Sequence, residues 1–162
     1  MTIESIIKKE LADIFEKKEL EDVHYFPKHK AKVSALVDAY FQVLNNCDRQ
    51  QLYYEKGFYV LVLSRSNNLS IQITVKLGNK AQHRPKLKKM LQVIKQHQPH
   101  GKVFLGQNNP RKSVSPDEEE TSLAVYLKDF SKKIDIRLVD QFIMSSTEYF
   151  SFDENDYMGK GK

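Results

Sequence analysis

Six apolar residues in a row, Phe58-Tyr59-Val60-Leu61-Val62-Leu63, follow Gly57 and set the terms for the rest of the chain. β-Branched and aromatic side chains dominate the run, and no polar residue interrupts it, so the strand it predicts has to be covered on both faces. Ser66-Asn67-Asn68 then reads as a turn. Beyond it Leu69, Ile71, Ile73, Val75 and Leu77 alternate with Ser70, Gln72, Thr74 and Lys76. That period of two predicts a second strand with one polar face, hairpinned to the first.

Helices surround this pair. Ile3, Ile6, Ile7, Leu11, Ile14 and Phe15 share one face of a helix over 3–18, and residues 19–30, with Pro27, read as a connection. A second helix over 29–46 has Val33, Leu36, Val37, Tyr40, Phe41 and Leu44 as its stripe. These two helices fit either a packed layer or a dimerisation element. After the loop Gly78-Asn79-Lys80, Pro85 suits the first position of a helix with Leu87, Met90, Leu91 and Ile94 inward, ended by Pro99-His100-Gly101. A short strand over 102–105 feeds a polar loop, and Ser115, Pro116 and Glu118 predict a capping box for a helix with Leu123, Leu127 and Phe130 inward. One strand, or a bent one, follows over 134–144, with a last strand over 147–152. The order predicts an α/β fold, a mixed sheet sandwiched by helices and preceded by two N-terminal helices. The divisions expected are an N-terminal helical segment at 1–50, a domain at 51–155 and a frayed tail at 156–162.

Charge is distributed unevenly. Between Lys56 and Pro116 there are twelve Lys and Arg and no Asp or Glu, while the remainder holds 14 bases against 21 acids. Such asymmetry marks either a polyanion-binding surface or basic outer faces that contact acidic flanks. Arg84, Lys86, Lys88, Lys89, Arg111 and Lys112 are the polyanion-binding candidates. No apolar run approaches membrane-spanning length, and the amphipathic N-terminus does not read as a signal peptide. The single Cys47 excludes an internal disulfide and a multi-cysteine zinc site, and the cytoplasm is the simplest setting.

Three stretches carry a resemblance to a known family. They are Val62-Leu63-Ser64-Arg65-Ser66-Asn67-Asn68-Leu69, Asp135-Ile136-Arg137-Leu138-Val139-Asp140-Gln141-Phe142-Ile143 and Tyr149-Phe150-Ser151-Phe152. Together with the polar loop from Gly106 to Glu120, they make residues 56–152 resemble the JAB/MPN domain of the RadC family, in the form common on bacterial mobile elements. The resemblance implies a cytidine-deaminase-like α/β fold, a zinc ion held by two His and one Asp, a water at the fourth position and an upstream Glu as general base. Such an enzyme cuts amide or isopeptide bonds with metal-activated water. The family name also implies an association with DNA repair.

Carried over position by position, the motif arrives degenerate. Gln107 and Asn109 stand at the two histidines, Asp117 at the motif's Ser, Glu120 at its Asp, and Gln141 at the His after the strand Asp. Amide side chains are poor zinc ligands, because their oxygen is neutral and their nitrogen offers no usable lone pair. Glu55 is the sole nearby acid for the base. The expectation is therefore a domain with no zinc and no catalytic residues that binds or scaffolds. A residual zinc hydrolase and a nucleic-acid accessory protein are the alternatives. The partner is left open between another protein, nucleic acid and a second copy of the chain, with no membrane.

Weaker candidates are His83, His97 and His100 as metal ligands, Cys47 as a lone nucleophile, and Asp117 to Glu120 as a cation site. Tyr53, Tyr54, Phe58 and Tyr59 could stack on single-stranded nucleic acid, though core packing is the commoner use of such residues.

Overall fold

A computed structural model of the chain describes residues 2–26, 31–78, 80–110 and 113–155. In chain order the elements are α1 (Ile3–Ile14), β1 (Leu20–Tyr25), α2 (Leu36–Asn45), α3 (Arg49–Tyr54), β2 (Phe58–Leu63), β3 (Leu69–Val75), α4 (His83–His97), β4 (Lys102–Asn108), α5 (Glu118–Lys133), β5 (Arg137–Met144) and β6 (Tyr149–Ser151), with a 3-10 turn at Lys80–Gln82. The strands form one six-stranded mixed sheet in the order β1-β3-β2-β4-β5-β6. Among the described residues, β4 and β5 are the one parallel pair.

The uninterrupted apolar run of β2 is explained by its place inside this sheet. Phe58, Val60 and Val62 face one core with Ile7 and Leu11 of α1, Leu87 and Leu91 of α4, and Leu127 of α5. Tyr59, Leu61 and Leu63 face the other with Tyr40 and Val43 of α2 and Leu52 of α3. Each fully buried Leu, Ile or Val of this kind contributes about 1.5–3 kcal/mol. The expected α/β fold, with its mixed sheet between helices and two helices near the N-terminus, is the observed one.

Several boundaries differ from expectation, each for a local reason. Residues 20–25 form a strand rather than a connection. β1 is an edge strand, pairs antiparallel with β3, and buries only Val23 fully, so its apolar pattern is thin. Ile7 and Leu11 of α1 and Phe15 just after it share one core with Val23 of β1. The α2 helix is shorter than 29–46, and Val37 and Phe41 of the predicted stripe are exposed while Ala39 and Val43 pack inward. A six-residue helix, α3, was not predicted; Asp48 caps it by accepting from Gln50 N–H at 2.9 Å. The α4 helix starts two residues before Pro85.

The remaining corrections concern the loop. β4 runs on through Gly106, Gln107 and Asn108, because β2 and β5 continue beside it, pairing Phe58 with Gln107 and Met144 with Asn108. Gly106 is required there, since a Cβ would lie 2.4 Å from the Phe142 ring. The α5 cap is Asp117 rather than Ser115. Asp117 accepts from Glu120 N–H at 2.7 Å, and Glu120 reaches back to Asp117 N–H at 2.9 Å. Asp caps a helix as well as Ser does, and this frame keeps a complete capping box two residues later. Among the described residues, no helix is long and apolar enough to cross a membrane.

Candidate functional site

The site lies where the C-terminal end of β4, the lead-in to β2 and the N-terminus of α5 meet. Asn108 builds its frame. This residue is fully buried, and its amide donates to Leu52 O and to Glu55 O, both at 2.7 Å. Its oxygen accepts from Gly57 N–H at 2.7 Å and from the Tyr59 hydroxyl at 3.3 Å. The backbone on either side of Lys56 is therefore pinned to one side chain of β4.

Lys56 turns inward from this frame. Its Nζ donates to Gln107 Oε1 at 2.6 Å and to Asn109 Oδ1 at 2.7 Å, and lies 3.4 Å from Glu120 Oε2. The Phe58 ring centroid is 5.5 Å away. Burial pushes the Lys56 amine down to about 8 against the opposing pull of Glu120, so it still carries its charge at neutral pH. Glu120 divides its carboxylate: Oε1 closes the capping box, and Oε2 faces the ammonium. The helix start that launches α5 thus also supplies a counter-charge.

Beside this cluster opens a cleft of about 940 Å³. Lys76, Lys80, Arg84, Asp117, Glu118 and Glu119 are all in its lining. Lys80 and Glu119 pair at 3.0 Å, both exposed. His83 lies in the wall with its Nε2 3.1 Å from Leu77 O and its ring edge-on to Phe58. Burial depresses the His83 pKa, the Leu77 carbonyl opposes this, and Lys56 and Lys80 add to it; the ring is therefore neutral at pH 7 and donates to Leu77 O.

Of the residues singled out from the sequence, Gln107, Asn109 and Glu120 come together on one nitrogen. Asp117 stands at the cleft mouth as the cap of α5. Gln141 is buried and donates to Ala124 O at 2.7 Å, tying β5 to α5; it is not part of the cleft lining. Glu55, the one candidate base, pairs with Lys76 at 3.0 Å. Lys56 and Asn108 were missed as site residues. The signal for Lys56 was a basic residue two positions before the buried run, in a chain whose motif replacements are all oxygen acceptors.

The weaker candidates disperse. His97 pairs with Glu10 at 3.0 Å, His83 serves Leu77, and among the described residues no three His, Cys, Asp or Glu side chains form a ligand group. Cys47 is half-buried, and burial raises its thiol pKa, which disfavours the nucleophilic thiolate. Phe58 and Tyr59 are core, while Tyr53 and Tyr54 are exposed on α3. The basic face of α4 is largely engaged within the molecule. Lys86 pairs with Glu19 at 2.5 Å, Lys88 lies over Phe130, and Arg84 lies over Tyr126 and donates to Ser122. Lys89 is exposed, and Arg111 and Lys112 lie outside the described residues.

A family model for the RadC-like JAB domain matches residues 31–157, and the chain belongs to that family. The match begins well before residue 56 and takes in α2 and α3, the helices that cover one face of β2. No curated protein matches the chain.

Proposed function

We propose that this chain is a JAB-type domain that has given up zinc hydrolysis and works by binding a partner. One observation carries the reading: the oxygens of Gln107, Asn109 and Glu120 are turned on the ammonium of Lys56. These positions correspond by resemblance to the family's metal ligands. Zinc hydrolysis takes nitrogen, sulfur or carboxylate donors, an open position for water and a base. Two neutral amides, one carboxylate and a resident positive charge do not fit a divalent ion. Glu55, the candidate for the base by its place in the sequence, is held by Lys76.

What is left is a cleft large enough for a ligand, lined by both signs of charge together with Leu77 and Leu123. A polypeptide segment carrying charges of both signs suits such walls better than a uniform polyanion does. The intramolecular contacts of Arg84, Lys86 and Lys88 point the same way. A cytoplasmic setting, with residues 51–155 as the binding domain, belongs to the same proposal. Metal analysis of the purified protein, with peptide and isopeptide hydrolysis assayed with and without added zinc, tests it. We expect neither stoichiometric zinc nor turnover. Zinc at one per chain together with turnover would replace this reading with that of a hydrolase.

A further inference from the structure

The cluster around Lys56 is more specific than the loss of a metal ion requires. Losing ligands would leave a polar hollow open to water. Here the hollow is filled from within. An ammonium has three N–H donors, and three side-chain oxygens from two elements and the loop between them stand around this one. Its fourth valence is the bond to its own Cε, so the ammonium has no further N–H to offer.

We propose that the Lys56 ammonium is the permanent, covalently tethered occupant of the cation position of this fold, and that it excludes a free metal ion from it. The inference rests on reading Gln107, Asn109 and Glu120 as the former ligand positions. Three observations support it. Glu120 Oε2 supplies a negative charge on the side where the cation sits. Asn108 fixes the backbone at Glu55 and Gly57, so the aim of Lys56 is set by β4, the strand that also carries Gln107. The Lys56 ammonium lies 5.5 Å from the Phe58 ring centroid and the side chain stays mostly covered, at 24% exposure, as a built-in group would rather than a surface lysine. A second cation at this spot would meet a like charge at contact distance in a partly desolvated site, where repulsion is strong.

The substitutions that restore the expected ligands separate the possibilities. Gln107→His, Asn109→His and Glu120→Asp are made together, once with Lys56 retained and once with Lys56→Ala added. Folding is checked by circular dichroism, and zinc affinity is measured by competition with a chromogenic chelator. The expected result is that the fourfold variant binds zinc about 100-fold or more tightly than the threefold one. Equal zinc binding by the two overturns the occupancy proposal and leaves the former-ligand reading intact. Zinc binding by neither, in folded protein, overturns both.

A second measurement guards against variants that do not fold. Lys56→Ala alone leaves the three oxygens around a hollow of about the size of a small ammonium ion. Millimolar methylammonium should raise the melting temperature of Lys56→Ala saturably, leave the wild type unmoved, and outperform tetramethylammonium, which has no N–H to donate. Equal responses of the two proteins, or of the two cations, would sink the proposal.

Discussion

Two lysines in this molecule are each drawn inward by a glutamate, and they do different things. Lys86, in the first turns of α4, meets Glu19 Oε1 at 2.5 Å, and the same oxygen accepts from Glu16 N–H at 2.8 Å. That is a two-body clasp between α4 and the turn joining α1 to β1. Lys56 instead sits among three oxygens at a strand-to-helix mouth, beside the largest cleft described. The clasp needs only opposite charges at close range. The cage needs a directed ammonium, two amides that cannot be charged, and a frame that holds all of them in register. The difference teaches that the basic surplus of residues 56–116 is not one feature. Part of it fastens the N-terminal segment, and part fills a site.

The largest expected effect tests the frame. Asn108→Ala strips partners from Leu52 O, Glu55 O and Gly57 N–H at once and should cost about 3 kcal/mol in urea denaturation, since each buried orphan costs about 1–3 kcal/mol and some are rehydrated. Amide exchange should quicken around residues 52–57 and stay unchanged at the Glu19 turn. A loss no greater than that of a clasp variant would mean that the frame is not what organises this end. Next, Lys86→Met should cost about 1 kcal/mol and gain nothing from methylammonium, because a two-body pair leaves no three-sided hollow. A methylammonium response there would erase the distinction between clasp and cage.

The smallest effect separates the two regions by pH. His83, in the cleft wall, is held below its ordinary 6.5 mainly by burial, so the unfolded chain takes up its proton first, and stability from this residue is lost as pH falls below about 6.5. Burial pushes the Glu19 carboxylate up, but hydrogen bonds from Lys86 and the Glu16 N–H and the charges of Lys86 and Lys18 outweigh it and hold it below its ordinary 4.5. Its stabilisation is present above about 4.5 and is lost as pH falls through the lower folded value. Acid titration of stability should therefore show the cleft weakening first and the clasp later. His83→Gln should remove the earlier step and Glu19→Gln the later one.

Much of the fold was legible because its strongest signals are local. The β2 run, the alternation in β3 and the inward faces of α4 and α5 announce themselves by period and composition. β1 was illegible because an edge strand with one covered face shows little more than Leu20, Val23 and Tyr25 among charges. The end of β4 was misread as loop because Gly106, Gln107 and Asn108 are turn-like residues held straight by neighbours on both sides. Among the site residues, Gln107, Asn109 and Glu120 stood out by their spacing. Asn108, lying between two of them, has no role in the motif, and its turn to the opposite face shows only once the stretch is a strand, whose side chains alternate.

The sequence alone determined the α/β class, the buried central strand, the acidic start of α5 and the amides of Gln107 and Asn109 ahead of it. Those are properties of residue type and short-range order. Only the tertiary structure decided that the cation of this site is Lys56. The residue lies some fifty positions from Gln107 and over sixty from Glu120, and its charge takes on meaning only when Asn108 pins its backbone and three oxygens close around it. A lysine in a sequence reads as surface by default, because its charge belongs in water. Whether the chain can offer it a better place than water depends on groups that folding alone brings together.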